Sequence, residues 1–347
     1  MRAVLLVIAM VPLLGGCTAL GYYSQAVGGH LDLMHRASPI EDELKRPDTP
    51  DPLKKKLEAA LHMREFASRE LHLPENGSYR SYADLGRQYV VWNVFAAPEF
   101  SLQPVSSCFL FAGCVSYRGY FSEADALAES AALRAKGYDA YIGGVPAYST
   151  LGWFNDPVLS TFINLPQGEL ARLIFHELTH QLLYVRNDTR FNESLAAAVE
   201  EAGMERWLAQ PGNEGERIPY MRLQGIKREF IGMLLKYREK LEAYYKLDLA
   251  ADEKRQGKQR VFAQMEQEYG ELKRSWGGFP GYDRWFASKP NNAQLASIAL
   301  YTELVPAFRA MLAREGGDLP RFYAAVKELA KLPKEERDSR LGSYFKD

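Results

Sequence analysis

The residues best suited to chemistry stand in the stretch LARLIFHELTHQLLYV, which contains His176, Glu177 and His180. Histidines at this spacing lie one above the other on a helix, so both imidazoles can face a single ion. A carboxylate beside the first histidine projects next to that ion rather than onto it. There it can take a proton from a water molecule held in an open coordination position. Zinc hydrolases use three protein ligands and leave the fourth position free, so Zn2+ is the cofactor this spacing implies. The alternative is a helix with two structural histidines, or a non-catalytic zinc-binding scaffold, and neither has a use for Glu177.

No histidine follows His180, so the third ligand must be a carboxylate. Glu193 and Glu200, in RFNESLAAAVEE, are the two candidates. If the first helix runs to Tyr184 and VRNDT turns the chain, Glu193 returns level with His180. Glu200 then lies about 10 Å further along the second helix, and both cannot bind one ion. We assign Glu193 as the ligand. Glu200 is left as a partner behind a ligand, a substrate contact or a surface carboxylate.

These residues need helices to hold them, and the surrounding sequence supplies the pattern. Leu170, Ile174, Leu178 and Leu182 give the first helix a wide apolar face. Downstream, Ile226, Phe230, Leu234, Tyr237, Leu241 and Tyr244 form one stripe of the kind that packs a core. Upstream, YVVWNVFAA and CVSYRGYF have strand character, and SEADALAESAALRAKGY opens with helix-start signals before a further strand at DAYIGG. GGVPAYSTLGWF could extend this as a strand able to align a peptide. The expected fold class is α+β: a small mixed part followed by a mainly helical, zincin-like part. The expected divisions are a signal at 1–16, a tether and first helix at 17–50, an α+β cleft unit at 51–168 and a helical zinc-binding part at 169–347.

The chain carries 43 basic and 44 acidic residues, a balance that argues against nucleic acid as a partner. Its N-terminus, MRAVLLVIAMVPLLGGCTAL, has a single Arg, a short apolar run and small residues, the layout of a secretory signal. Leu14-Gly15-Gly16-Cys17 resembles the lipobox of bacterial lipoproteins, which implies acylation of Cys17 and a membrane partner through that anchor. A soluble periplasmic protein is the alternative. Thr18, rather than an aspartate, after the cysteine favours the outer membrane, with the protein facing the periplasm. In such a compartment disulfides persist, and Cys108 and Cys114 flank a loop short enough to close into one.

HELTHQ followed by FNESLA resembles the gluzincin pattern, in which an Asn-Glu segment on a second helix provides the third zinc ligand. The gap from His180 to Glu193 is shorter here than in thermolysin or the large alanyl-type aminopeptidases, which implies a different hairpin. VVWNVFAAPEFSL, CVSYRGYF, GVPAYSTLGWFNDPVLSTF and DTRFNESLAAAVEEAG extend the likeness to a bacterial family of zinc aminopeptidases, many of them lipoproteins. The resemblance implies a peptide substrate, with an endopeptidase as the rival enzyme. Peptide hydrolysis needs a donor for the oxyanion besides the metal, and Tyr148, Tyr184 and Tyr301 are candidates. An aminopeptidase also needs an anion for the substrate ammonium, for which Asp156, Glu169, Glu200 and Glu201 are available.

Overall fold

Helices form where apolar residues recur at three- and four-residue spacing, and strands where apolar residues run on without that spacing. The computed structural model describes residues 14–109, 113–147, 149–299 and 303–344. Tyr148, Tyr301 and residues 1–13 of the expected signal at 1–16 lie outside them. The chain opens with α1 (Leu14–Arg36), β1 (Ser38–Pro39), α2 (Ile40–Lys45) and α3 (Asp51–Arg69), followed by β2 (Ser81–Ala83). In α3 a proline sits in the first turn, where its missing N–H costs nothing, and Leu57, Ala60, Met63, Phe66 and Ala67 form the buried face.

The middle of the chain holds a three-stranded antiparallel sheet, a separate two-stranded hairpin and a helix. It contains β3 (Val91–Pro98), β4 (Ser107–Phe109), β5 (Gly113–Val115), β6 (Arg118–Tyr120), α4 (Glu123–Ala135) and β7 (Tyr138–Val145). The central β3 pairs along its whole length with β7 and on its other side with β6, and seven of its eight residues are buried. The Ser122 side chain accepts a hydrogen bond from Asp125 N and so starts α4, as a Ser before an acidic turn should. Cys108 and Cys114 face each other across the β4–β5 hairpin and are joined by a disulfide. The expected strand at GGVPAYSTLGWF is only partly formed. Its first three residues end β7 at Val145, and residues 151–154 turn instead. Gly152 and Leu151 there both have positive φ, which no strand accommodates.

After β8 (Val158–Leu159), which runs parallel to β2, the chain is helical. It forms α5 (Gln167–Leu182), α6 (Thr189–Leu208), α7 (Glu214–Tyr245), α8 (Ala251–Ser275), α9 (Asp283–Ala287), α10 (Asn292–Ala299), α11 (Val305–Arg314), α12 (Leu319–Ala330) and α13 (Lys334–Ser343). The mixed front and helical back agree with the expected α+β class. The principal core joins α1 and α3 with α5, α6 and α11 to α13, so it draws on both sides of residue 168. A second core zips α7 to α8, and the predicted stripe is its spine, with Tyr245 rather than Tyr244 the more buried of the last pair. Among the described residues, no helix is long and apolar enough to cross a membrane.

Candidate metal centre

The centre is built on α5 and α6, which return on each other antiparallel. On α5, Leu170, Ala171, Ile174, Phe175 and Leu178 are buried and anchor the helix in the principal core. Gly203 of α6 meets Leu71 and Phe175 so closely that a Cβ would have no room, which lets the two helices approach. Leu183 is extended and ends α5 at Leu182, two residues before the end expected from the sequence. The turn that follows is held by Asn192, whose side chain accepts from Val185 N (2.7 Å) and donates to Val185 O (2.8 Å). Asp188 caps α6 by accepting from Phe191 N, and its buried carboxylate also receives Arg337 (2.7 Å) and Lys334 (3.2 Å). Burial opposes ionisation of Asp188, but these partners outweigh it and lower its pKa.

This hairpin brings His176, His180 and Glu193 together, with their ligand atoms all within 4.8 Å of one another. The separations are His176 Nε2 to His180 Nε2 3.2 Å, His176 Nε2 to Glu193 Oε2 3.3 Å and His180 Nε2 to Glu193 Oε2 3.7 Å. Donors at about 2.05 Å from a tetrahedral zinc ion sit about 3.3 Å apart. The observed triangle has nearly that edge. Nitrogen and oxygen donors in a two-histidine, one-carboxylate set are also what such an ion takes. The residues present therefore fit zinc, with one corner of the tetrahedron left unfilled by the protein.

Glu200 lies behind His176 rather than across from it. In an antiparallel pair, moving forward on α6 means moving back on α5, so Glu200 falls between His176 and Arg172. His176 Nδ1 is 2.8 Å from Glu200 Oε2, and Arg172 Nη1 donates to Glu200 Oε1 at 2.6 Å. Both oxygens are thus engaged by the protein, and neither is turned to a substrate. Arg172 also donates to Glu169 (3.0 Å), which in turn accepts from Gln224 on α7 (2.9 Å). Burial would keep His176 neutral, but Glu193 and Glu200 outweigh it and raise its pKa to about 10. Burial likewise opposes the charge on Glu193 and Glu200, yet their cationic neighbours push both carboxyls below the usual range.

Glu177 is partly buried, and its carboxylate makes no hydrogen bond among the described residues. Burial raises its pKa, with His176 and His180 acting against that. Tyr184 lies within electrostatic reach of Glu193, and so does Tyr117, which also senses Glu177 and Tyr184. Sequence reasoning passed over Tyr117 because it sits in β-type sequence far ahead of α5. Its chemical type was the only signal available. It also missed Gln181, which ends HELTHQ and donates to Asp156 Oδ2 (3.0 Å) while accepting from Asn76 (2.8 Å). Asp156 is buried and also accepts from Thr150 N, so the turn at 149–156 is tied to the residue after His180. Of the remaining acids considered for a substrate ammonium, Glu169 is bound to Arg172, and Glu201 is half exposed beside Arg309.

The disulfide hairpin reaches the turn between α5 and α6. Cys114 N donates to Asn187 Oδ1 at 2.7 Å, and Gly113, at φ +76°, leaves room for Asn187 and Arg186 where a side chain would clash.

A helix hairpin that presents two histidines four residues apart, a glutamate between them and a returning carboxylate defines a class of metal-dependent hydrolase sites. Residues 21–341 match the family described as "Putative aminopeptidase", and the chain belongs to that family. Neither a curated protein nor a solved structure matches the chain.

Proposed function

We propose that this protein is a zinc-dependent peptidase of the bacterial cell envelope that removes residues from the free N-termini of peptides. The observation that carries the reading is the triangle of His176, His180 and Glu193, whose edges of 3.2, 3.3 and 3.7 Å suit a tetrahedral ion. When bound, zinc supplies Lewis-acid polarisation of a peptide carbonyl and of a water molecule.

The chain's own residues supply the rest. Glu177 takes the proton of the attacking water and passes it to the leaving amine, and its burial favours holding that proton in between. Glu200 accepts the Nδ1 proton of His176, so that a metal displacing the other ring proton would meet the Nε2 lone pair, and Arg172 holds Glu200 in place. Tyr184 and Tyr117 are described tyrosines within electrostatic reach of Glu193, and either can donate to the developing oxyanion. Tyr148 and Tyr301 stay candidates for the same role. The signal at residues 1–16 and an acylated Cys17 would place the enzyme on the outer membrane, facing the periplasm.

The test is hydrolysis of matched peptides with free and N-blocked termini, with and without a chelator. Chelator-sensitive cleavage of free peptides alone is expected. Cleavage of blocked peptides would make the enzyme an endopeptidase. A zinc-loaded protein that touches neither would leave only a binding scaffold.

A further inference from the structure

Among the described residues, four of the eight large apolar side chains that stand in solvent lie on two distant segments that meet. On α1, Val27 is 57 % and Leu31 59 % exposed, and on the turn at 149–156 Trp153 is 78 % and Phe154 51 % exposed. The two segments are in contact, because the Phe154 ring packs on His30 with centroids 4.5 Å apart. Exposed aromatic and aliphatic side chains grouped in this way mark an interaction surface rather than ordinary scatter.

At 100° per residue, positions 24, 27 and 31 of α1 fall within about 60° of arc on its exposed side, and in the sequence this stripe begins shortly after Cys17. Between Cys17 and Leu31 the helix carries no Asp, Glu, Lys or Arg. The first charges beyond, Asp32 and Arg36, pair with each other at 2.9 Å. The opposite side of α1 is fastened to the protein: Gln25 bonds Gly119 and Phe121, Tyr22 stacks on Phe109, and Leu33 enters the principal core. The exposed stripe is therefore held outward by the fold.

We infer that this stripe, with Trp153 and Phe154 beside it, is a docking face for the lipid bilayer, on which α1 lies lengthwise. The inference rests on the proposed acylation of Cys17. An acyl chain at Cys17, a few helical turns before Val27 in the sequence, keeps the bilayer within reach of α1, whose exposed uncharged and aliphatic side chains, with the aromatic ones beside them, suit its interface. Docking there adds a second attachment to the acyl anchor. It also holds the turn that Gln181 ties to the end of the zinc helix against the membrane surface, so peptides lying at that surface reach the centre first.

The experiment uses the full mature lipoprotein reconstituted in phospholipid vesicles with either ordinary or brominated acyl chains. Bromine quenches tryptophan that enters the bilayer, and the difference in emission between wild type and Trp153→Phe isolates Trp153 from the other tryptophans. We expect most of that difference signal to be lost in brominated vesicles and restored by Val27→Asp with Leu31→Asp, both at exposed positions. A lipoprotein that floats with vesicles while its Trp153 signal is unaffected by bromine would overturn the docking face and leave the anchor standing. A chain that takes up no labelled acyl group at Cys17 and does not float would remove both. Shielding of Trp153 that depends on protein concentration and not on lipid would overturn the inference in favour of a second copy.

Discussion

Under the proposed function, replacing Glu200 should separate a residue that holds the metal from one that holds a ligand. Glu200 accepts from His176 Nδ1 at 2.8 Å and from Arg172 at 2.6 Å. A glutamine offers only one acceptor in place of two. If its oxygen stays with Arg172, its NH2 faces His176 Nδ1, and the imidazole must carry its proton on Nε2, the atom turned to the ion. Losing a partner that orients a metal-bound histidine typically costs 10- to 100-fold in metal affinity, or about 1.4–2.7 kcal/mol. Glu200→Gln and Glu200→Ala should therefore still bind one zinc but yield it to a competing chelator at a concentration lower by that factor. Glu193→Ala, which removes one corner of the ligand triangle, should retain no stoichiometric zinc after dialysis. Arg172 keeps Glu169 at 3.0 Å in the Glu200 variants, so far-ultraviolet circular dichroism should be unchanged. The assay is competitive zinc titration at fixed pH. Wild-type affinity in the Glu200 variants, or in Glu193→Ala, would refute the reasoning.

Glu177→Gln should keep its zinc and lower kcat by about 10²- to 10⁴-fold, which metal analysis and steady-state kinetics measure together. Asp188→Asn should destabilise the fold by about 3 kcal/mol, because it leaves the Arg337 guanidinium, only 5 % exposed, without its anion. Since the pKa of Asp188 is depressed in the folded state, its contribution is present above about pH 4 and is lost as the pH falls through the lower folded value. The gap in denaturant midpoint between wild type and variant should therefore close in acid, and a gap that persists to the lowest pH would count against the pairing. Replacing both Cys108 and Cys114 by serine should cost about 2 kcal/mol for a loop of this length, seen as a lower melting temperature under oxidising conditions only.

Local pattern and tertiary context divide this protein unevenly. The pairing of His176 with His180 was legible because a helix repeats every 3.6 residues, so their common face follows from spacing alone. The core stripe from Ile226 to Leu241 and the Ser122 cap were legible for the same kind of reason. Glu193 was one step harder, since its place depends on where α5 stops. Leu183 ends that helix early, and Asn192, the residue before Glu193, closes the turn through two bonds to Val185. The role of Glu200 could not be read from its surroundings in the chain. Only the antiparallel register of α5 and α6 sets it between His176 and Arg172, and the signal available was an arginine one turn before the first histidine.

The amino-acid order alone determined which helices form, which side chains can bind a metal and which faces must be buried, because these depend on neighbours a few residues away. Tertiary structure decided what stands around them. Tyr117, on the bend between β5 and β6, comes within electrostatic reach of Glu193, Gln181 clasps Asp156 from another segment, and Phe154 meets His30 of α1. Such meetings depend on how separate elements pack, and packing joins residues that no local spacing relates.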